Sequence, residues 1–536
     1  MYTQKGTPYS LIRIVAVFLA AFLVLTGSFM NPAKPTSSYL VQAADLATAR
    51  TAVAAVGGSI THELAIINSV GAQLTAQQQA RLATNEKVDL VLANSSLTVA
   101  GGPSQPDTIF PSLIGAAQLH QEGITGDGIA VAVVDTGIWH VGALKSHIAV
   151  QYNAITNKVT TASGDPNGHG THISAIIASD ARSNGTSLYN GVAPDVDLVN
   201  IIAFDKNGSG SYLDVIRGID WAVAHQDQYN IRVMNLSFSA TPQSYYWDDP
   251  INQAVMRAWQ AGIVVVAAAG NTGPDPMTIG VPGNVPYVIT VGAMSDNYTP
   301  ANGTDDILAS FSAAGPTVEG FVKPDVVAPG GHVLAAMKSD SAIATSHPDY
   351  YYGGNLFTMS GTSQATAVTT GVVALMLQKE PSLTPDDVKC RLMNSAHTAV
   401  DENGDLAYSI FQQGAGQVNA YDAVYNTASG CANQGLDLAA DLDGTAHFGG
   451  PAMQDEDGNF TIMDTDGFAW SGGFAWSGGF AWSGGFAWSG GFAWSGGFAW
   501  SGGFAWSGGF AWSGSAVSPA SLTQNTSQIG SWVPQE

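Results

Sequence analysis

Between residues 105 and 428 the chain alternates short Val/Ile/Ala runs with amphipathic segments, and this alternation restricts its fold more than any other feature. The runs are "GIAVAVVDTG", "VDLVNIIAF", "IRVMNLSF", "GIVVVAAAGN" and "YVITVGA". A strand with no polar alternation suits burial on both faces, which is the condition of a parallel sheet. Segments such as "SYLDVIRGIDWAVAHQ" and "DDPINQAVMRAWQAG" read as helices between the strands. The βαβ rhythm predicts one α/β domain, doubly wound around a mostly parallel sheet.

The flanks have other textures. Lys5 and Arg13 precede an uncharged apolar run, Ile14 to Leu25, of signal-peptide length. Small residues at Val41-Gln42-Ala43 predict cleavage before Ala44, so residues 1–43 are expected to be a signal peptide; the alternative is an uncleaved anchor extended through Met30. Residues 44–100 read as a small α+β unit: "GGSITHELAIINSV" as strand and turn, "TAQQQARLA" as a helix capped by Thr75, and "KVDLVLA" as a strand. Residues 429–466 form an acidic, Gly-rich linker and 515–536 a polar tail. Between them, in 467–514, "FAWSGG" recurs every six residues from Phe468, seven times in full and an eighth time with Ser515 in place of the second glycine. Extended, such a unit would put Phe and Trp on one face and Ala and Ser on the other. The competing reading is a Gly/Ser-rich appendage with aromatic stickers, since two glycines per unit weaken a strand. Cell wall, glycan or self-association are the partners such an array suggests.

Charge narrows the partners of the whole. Lys and Arg number 18 against 42 Asp and Glu, a net charge of -24. A surface of that sign repels nucleic acid and anionic membrane, so no nucleic-acid partner is expected. The low charged fraction, with the N-terminal segment, favours an extracellular setting, with cell-surface attachment as a variant. Two cysteines, Cys390 and Cys431, make neither a disulfide framework nor a metal quartet; they either pair with each other or remain separate thiols.

Three stretches in the α/β region carry chemistry. "VAVVDTG" ends a strand on Asp135, where open α/β sheets gather their functional groups. "Asp-Thr-Gly" also marks aspartic proteases, but these need a second such triplet and the chain has none. "NGHGTHISAIIA" sets His169 between glycines that let the backbone approach closely before a helix. "MSGTSQATAVTTGVVALML" puts Ser363 at the start of a helix, whose free N–H groups suit an oxyanion. Taken singly, an N-cap serine, a turn histidine or a strand-end aspartate is an ordinary structural residue. Together they give Asp, His and Ser in the order found in subtilisin.

With "VVDTGI", "GHGTH" and "GTSQA" in that order, the chain resembles the subtilisin-family (subtilase) serine proteases. "VVVAAAGNTGP" resembles the family's oxyanion segment and places Asn271 as a side-chain donor. The resemblance implies a secreted endopeptidase working by acyl transfer. Ser363 would be the nucleophile, His169 its general base and acid, and Asp135 the group that orients the imidazole. No cofactor is then required for the chemistry, and structural calcium is expected only by analogy with the family. The candidate turn Asp401, Asn403, Asp405 lacks the glycine and final glutamate of an EF-hand loop.

The resemblance extends to substrate contacts. Gly208, Ser209, Gly210 and Ser211 would pair with peptide backbone as one edge, with Tyr212 walling a side-chain pocket. Ser237, Phe238 and Ser239 would form the opposite edge, and Ala268, Ala269 and Gly270 would line the primary specificity pocket. The chain departs from the family where Gln364 replaces a Met after the nucleophile, Ala367 a Pro, Ala175 a Gly and Ser239 a Gly. Residues 44–100 resemble the family's inhibitory propeptide, which implies an intramolecular inhibitor released by self-cleavage between Asn94 and Gly102. The rival function is an adhesive or surface-attached protein whose repeat tail binds glycan and whose protease domain is a processing device.

Overall fold

The computed structural model describes residues 35–94, 108–462 and 526–533, apart from 163, 184–185, 300–304, 402, 456–457 and 530–531. The apolar run at 14–25, the expected cut between Asn94 and Gly102 and the "FAWSGG" array lie outside the described residues. The chain divides into two compact units, Met1–Gly102 and Pro103–Glu536.

In the first unit the hydrogen-bonded order is β2-β3-β1-β4, where β1 is Ser37–Gln42, β2 Ser59–Leu64, β3 Ser69–Leu74 and β4 Leu90–Ala93. Helix α1, Leu46–Ala55, starts at Asp45, whose side chain accepts the Thr48 N–H. Helix α2, Ala76–Ala83, opens with a capping box in which Thr75 and Gln78 satisfy each other's backbone N–H groups. A separate apolar core of Val41, Val53, Val70, Leu74 and Leu82 holds the unit together. Strand β1 lies upstream of the cut expected before Ala44, yet it pairs with both β3 and β4. Cleavage there would remove an inner strand, leaving β4 without a partner and β3 paired with β2 alone.

In the second unit six parallel strands form the spine. Their order across the sheet is Ile289–Ser295 (β10), Val264–Ala268 (β9), Ile231–Leu236 (β8), Ala130–Asp135 (β5), Asp197–Ile202 (β7), Ile148–Asn153 (β6). Val326–Pro329 (β11) adds a seventh parallel strand beside β10. Short antiparallel strands, Lys158–Val159 and Ile307–Leu308, lie at the edges. Every residue of β5 and β9 is buried, as the continuous apolar runs require. The chain runs from β5 outward to β6, returns through β7, then crosses to β8 on the other side of β5. The order therefore reverses between β5 and β8, and the crevice beyond their C-terminal ends is where an open α/β sheet places its ligand.

Candidate active site

Val133 of β5 pairs with Asn235 of β8, so two residues further on Asp135 and Ser237 emerge side by side at the switch point. Asp135 is fully buried, and its carboxylate accepts the Thr136 N–H at 2.7 Å. His169 Nδ1 lies 2.9 Å from both of its oxygens, an arrangement that puts the proton on Nδ1 and leaves Nε2 as the free acceptor.

His169 opens helix α3, His169–Ala178. The flanking glycines are there for contact and conformation. Gly168 has φ +106°, and a Cβ on Gly170 would fall 2.2 Å from the Gly137 carbonyl. The helix start is held by a residue the motif reading passed over. Asp165, buried, accepts the Gly168 N–H at 2.9 Å and the Thr171 N–H and hydroxyl at 2.8 Å each. Burial raises its pKa, and the Asp135 charge adds in the same direction. The available signal was an Asp three residues before the Gly168 cap of a Gly-His-Gly helix start. His172, one turn after His169, is buried with Nε2 3.0 Å from the Phe357 carbonyl. Burial pushes its pKa down to about 3, so it stays neutral and cannot share the base role.

Ser363 occupies the second position of helix α6, Thr362–Lys379, whose first sixteen residues are all buried. (Helices α4 and α5 are Tyr212–Ala224 and Pro250–Gln260.) Its N–H is among the four that a helix leaves without an internal partner. Its hydroxyl donates to the Ser237 carbonyl at 2.9 Å, and the Ser237 hydroxyl donates to the Ser363 carbonyl at 3.0 Å. Asn235 Nδ2 donates to Ser237 Oγ at 2.9 Å, so the end of β8 fixes the start of α6 from both sides. Asn271 Oδ1 accepts the Thr362 N–H and hydroxyl, which commits the oxygen and leaves Nδ2 to donate.

The expected substrate edges are strands: Ser209–Ser211 and Phe238–Ser239. Gly208 precedes the first with φ +76°. Gly210 is needed because a Cβ there would fall 2.7 Å from Phe204. Ser211 caps α4, and Phe238 is buried against Phe204. Tyr212 is buried with its hydroxyl donating to Asp249 at 3.0 Å, so its polar end faces the α5 cap rather than a pocket. Ala268, Ala269 and Gly270 are buried, and Ala269 packs with Ile279 and Ala313. Ser239 Oγ reaches between Gly270 and Gly280: a Cβ on either would fall 2.9 or 1.9 Å from it.

Among the described residues no three His, Cys, Asp or Glu side chains come together in a way that could hold a metal. Asp401 Oδ1 accepts the N–H groups of both Asn403 and Asp405. Cys390 and Cys431 are joined in a disulfide, with Cα atoms 5.2 Å apart.

Known proteins of similar sequence and structure include the following. Serine protease AprX of Bacillus subtilis is 41% identical over 306 residues, 56% of this chain and 67% of its own. Subtilisin E of the same species is 28% identical over 397 residues, 72% of this chain and 92% of its own. A solved structure, fervidolysin from Fervidobacterium pennivorans, is described as a keratinolytic enzyme related to subtilisin. It matches with TM-score 0.47 and 25% identity, over 75% of this chain and 62% of its own. The Subtilase family model matches residues 126–417, more than half of the sequence and the whole span from the Asp135 strand to beyond the Ser363 helix. The chain belongs to the subtilase family and is a subtilisin-like serine endopeptidase, hydrolysing peptide bonds.

Proposed function

We propose that Asp135, His169 and Ser363 carry the hydrolysis, with Asn271 and the Ser363 N–H as the oxyanion site. The observation that supports this most directly is the His169 Nδ1 contact with both Asp135 oxygens, beside a helix start that presents Ser363. Ser363 attacks the peptide carbonyl and passes its proton to His169 Nε2. The carbonyl oxygen, now negative, takes hydrogen bonds from Asn271 Nδ2 and the Ser363 N–H. His169 then protonates the leaving amine, the carbonyl re-forms as the amide bond breaks to leave an acyl–serine ester, and a water deprotonated by His169 attacks that ester to release the acid and restore Ser363. Asp135 holds the ring and offsets its charge throughout.

The chain is made as a secreted proenzyme. Lys5, Arg13 and the run Ile14–Leu25 support export, with the cut placed before Ser37 so that the small unit keeps its inner strand. The unit between that cut and Gly102 acts as intramolecular inhibitor and is removed by the enzyme itself. The array that follows the catalytic unit attaches the enzyme to cell wall, glycan or other copies. No cofactor takes part, and protein is the substrate.

Expression from Pro35, with and without Ser363→Ala, tests the reading. A serine-directed fluorophosphonate should label the parent alone, and only the parent should lose its N-terminal unit. Two full-length, unlabelled products would sink it.

A further inference from the structure

The polar tail returns to the catalytic unit. Thr526–Ile529 forms a strand, β12, lying between the two expected substrate edges in the order Phe238–Ser239, β12, Ser209–Ser211. Both pairings are antiparallel. Thr526, Ser527 and Gln528 face Ser211, Gly210 and Ser209, while Gln528 and Ile529 face Ser239 and Phe238. A segment between these strands makes the main-chain bonds an extended peptide would make there, and such pairing is indifferent to side chains.

A second foothold lies beyond it. Trp532 stacks on His347, with ring centroids 3.7 Å apart and an interplanar angle of 8°, and packs against Tyr350 and Phe357. Val533 is buried in the main core. This aromatic site adjoins the His169 loop: helix Ala342–Ser346 leads into His347, and its Ala342 and Ile343 N–H groups donate to the Pro166 and Asn167 carbonyls. Phe357 is the residue whose carbonyl contacts His172. On the other side, Ile529 faces Phe238, the neighbour of the Ser237 that holds the Ser363 hydroxyl. One foothold thus lies beside the strand end that follows Ser237 and the other beside the loop that leads into His169, three residues apart in sequence.

Resting on the protease reading above, we infer that Thr526–Ile529 and Trp532 dock this chain's own C-terminus in its substrate cleft, where it competes with protein substrate. Residues 526–533, "TSQIGSWV", carry no charge, which suits the small neutral walls expected at Ala268–Gly270. The tail is tethered, so it needs little intrinsic affinity: linkage supplies an effective concentration on the order of millimolar. Only one strand fits between Ser209–Ser211 and Phe238–Ser239.

The test compares the mature full chain with a form ending at Gly514, using a tetrapeptide p-nitroanilide and intact mass to verify the C-terminus. Removing the tail should lower KM by about tenfold with kcat unchanged, the size expected when a tethered competitor is lost. A synthetic peptide of residues 525–536 added to the shortened form should raise KM again. Trp532→Ala in the full chain should move KM in the same direction as truncation, and it serves if the shortened form does not fold. Fluorophosphonate labelling separates the two readings. No labelling of any form overturns the protease assignment. Labelling of all forms, with equal KM and no inhibition by the peptide, overturns the tail assignment alone.

Discussion

Asn271 Oδ1 accepts two hydrogen bonds from Thr362, 2.9 Å from its N–H and 2.8 Å from its hydroxyl. An amide held this way has one orientation, and its NH2 is left for whatever enters the cleft. Asn271→Ala should lower kcat by about 10²–10³ with little change in KM, a size taken from the equivalent donor in subtilisin. Thr362→Val keeps the backbone bond but removes the hydroxyl, which also accepts the Gly270 N–H. It should cost kcat about tenfold by loosening the donor without removing it. Steady-state kinetics on one anilide substrate checks both, and a Thr362→Val enzyme with unchanged kcat would show that the hydroxyl does not position Asn271.

Gln364 is buried directly after Ser363, and neither atom of its amide has a hydrogen-bond partner among the described residues. Gln364→Met is close to isosteric and removes two unsatisfied groups. It should stabilise the protein by about 1 kcal/mol. It should also introduce a peroxide-sensitive thioether beside Ser363. Thermal melts and timed peroxide inactivation report the two effects, and loss of stability on substitution would mean that the amide is satisfied in solution.

Glu319 is buried, and burial pushes its pKa up to about 7, even though one oxygen accepts the Tyr246 N–H at 2.7 Å. A raised value means the protonated acid favours the folded state. Its contribution is full below the ordinary glutamate value and is lost as pH rises through about 7. Glu319→Gln, compared in a Ser363→Ala background, should therefore melt higher than the parent at about pH 8 and match it at about pH 4. A melting difference independent of pH would remove the titration argument.

The disulfide between Cys390 and Cys431 closes a loop with a sequence separation of 41. Restricting that loop in the unfolded chain is worth about 4 kcal/mol on the chain-entropy model. Replacing both cysteines by Ser should lower stability by about that amount, with catalytic constants at low temperature unchanged. Denaturant midpoints at equal slope measure it; equal midpoints would assign the bond no stabilising role.

Ser239 Oγ lies where the expected primary pocket opens between Gly270 and Gly280. Ser239→Gly should favour large aromatic side chains over alanine before the cleaved bond by about tenfold in kcat/KM. Paired anilides ending in Phe and Ala give the ratio, and an unchanged ratio would place the pocket elsewhere.

What the sequence revealed follows from which forces leave a local pattern. The strands around Val133, Val199, Met234 and Val265 were legible because burial on both faces excludes polar residues from a whole run. The helices at Tyr212 and Pro250 were legible from their one-sided apolar pattern. Asp135, His169 and Ser363 were legible through the glycines around them, since close backbone approach demands Gly. Three features left weaker signals. Ser37–Gln42 follows a leader-like segment and reads as part of it. Asp165 acts on the helix start from a non-standard position. The strand Thr526–Ile529 is held by main-chain pairing, which imposes no apolar pattern on "TSQI". The cysteines were ambiguous by count alone, because partnership depends on two segments meeting in space.

The place of β1 bears on the order in which the protein is made. Its partners β3 and β4 both follow it in the chain, so the small sheet can close only once Ala93 has been synthesised. At about 5–20 residues per second, Ser363 follows roughly fifteen seconds to a minute later. Every contact of the small sheet is therefore available before Ser363 has been added to the chain. A nascent chain of this design carries a finished N-terminal unit throughout the interval in which its hydrolytic centre is assembled.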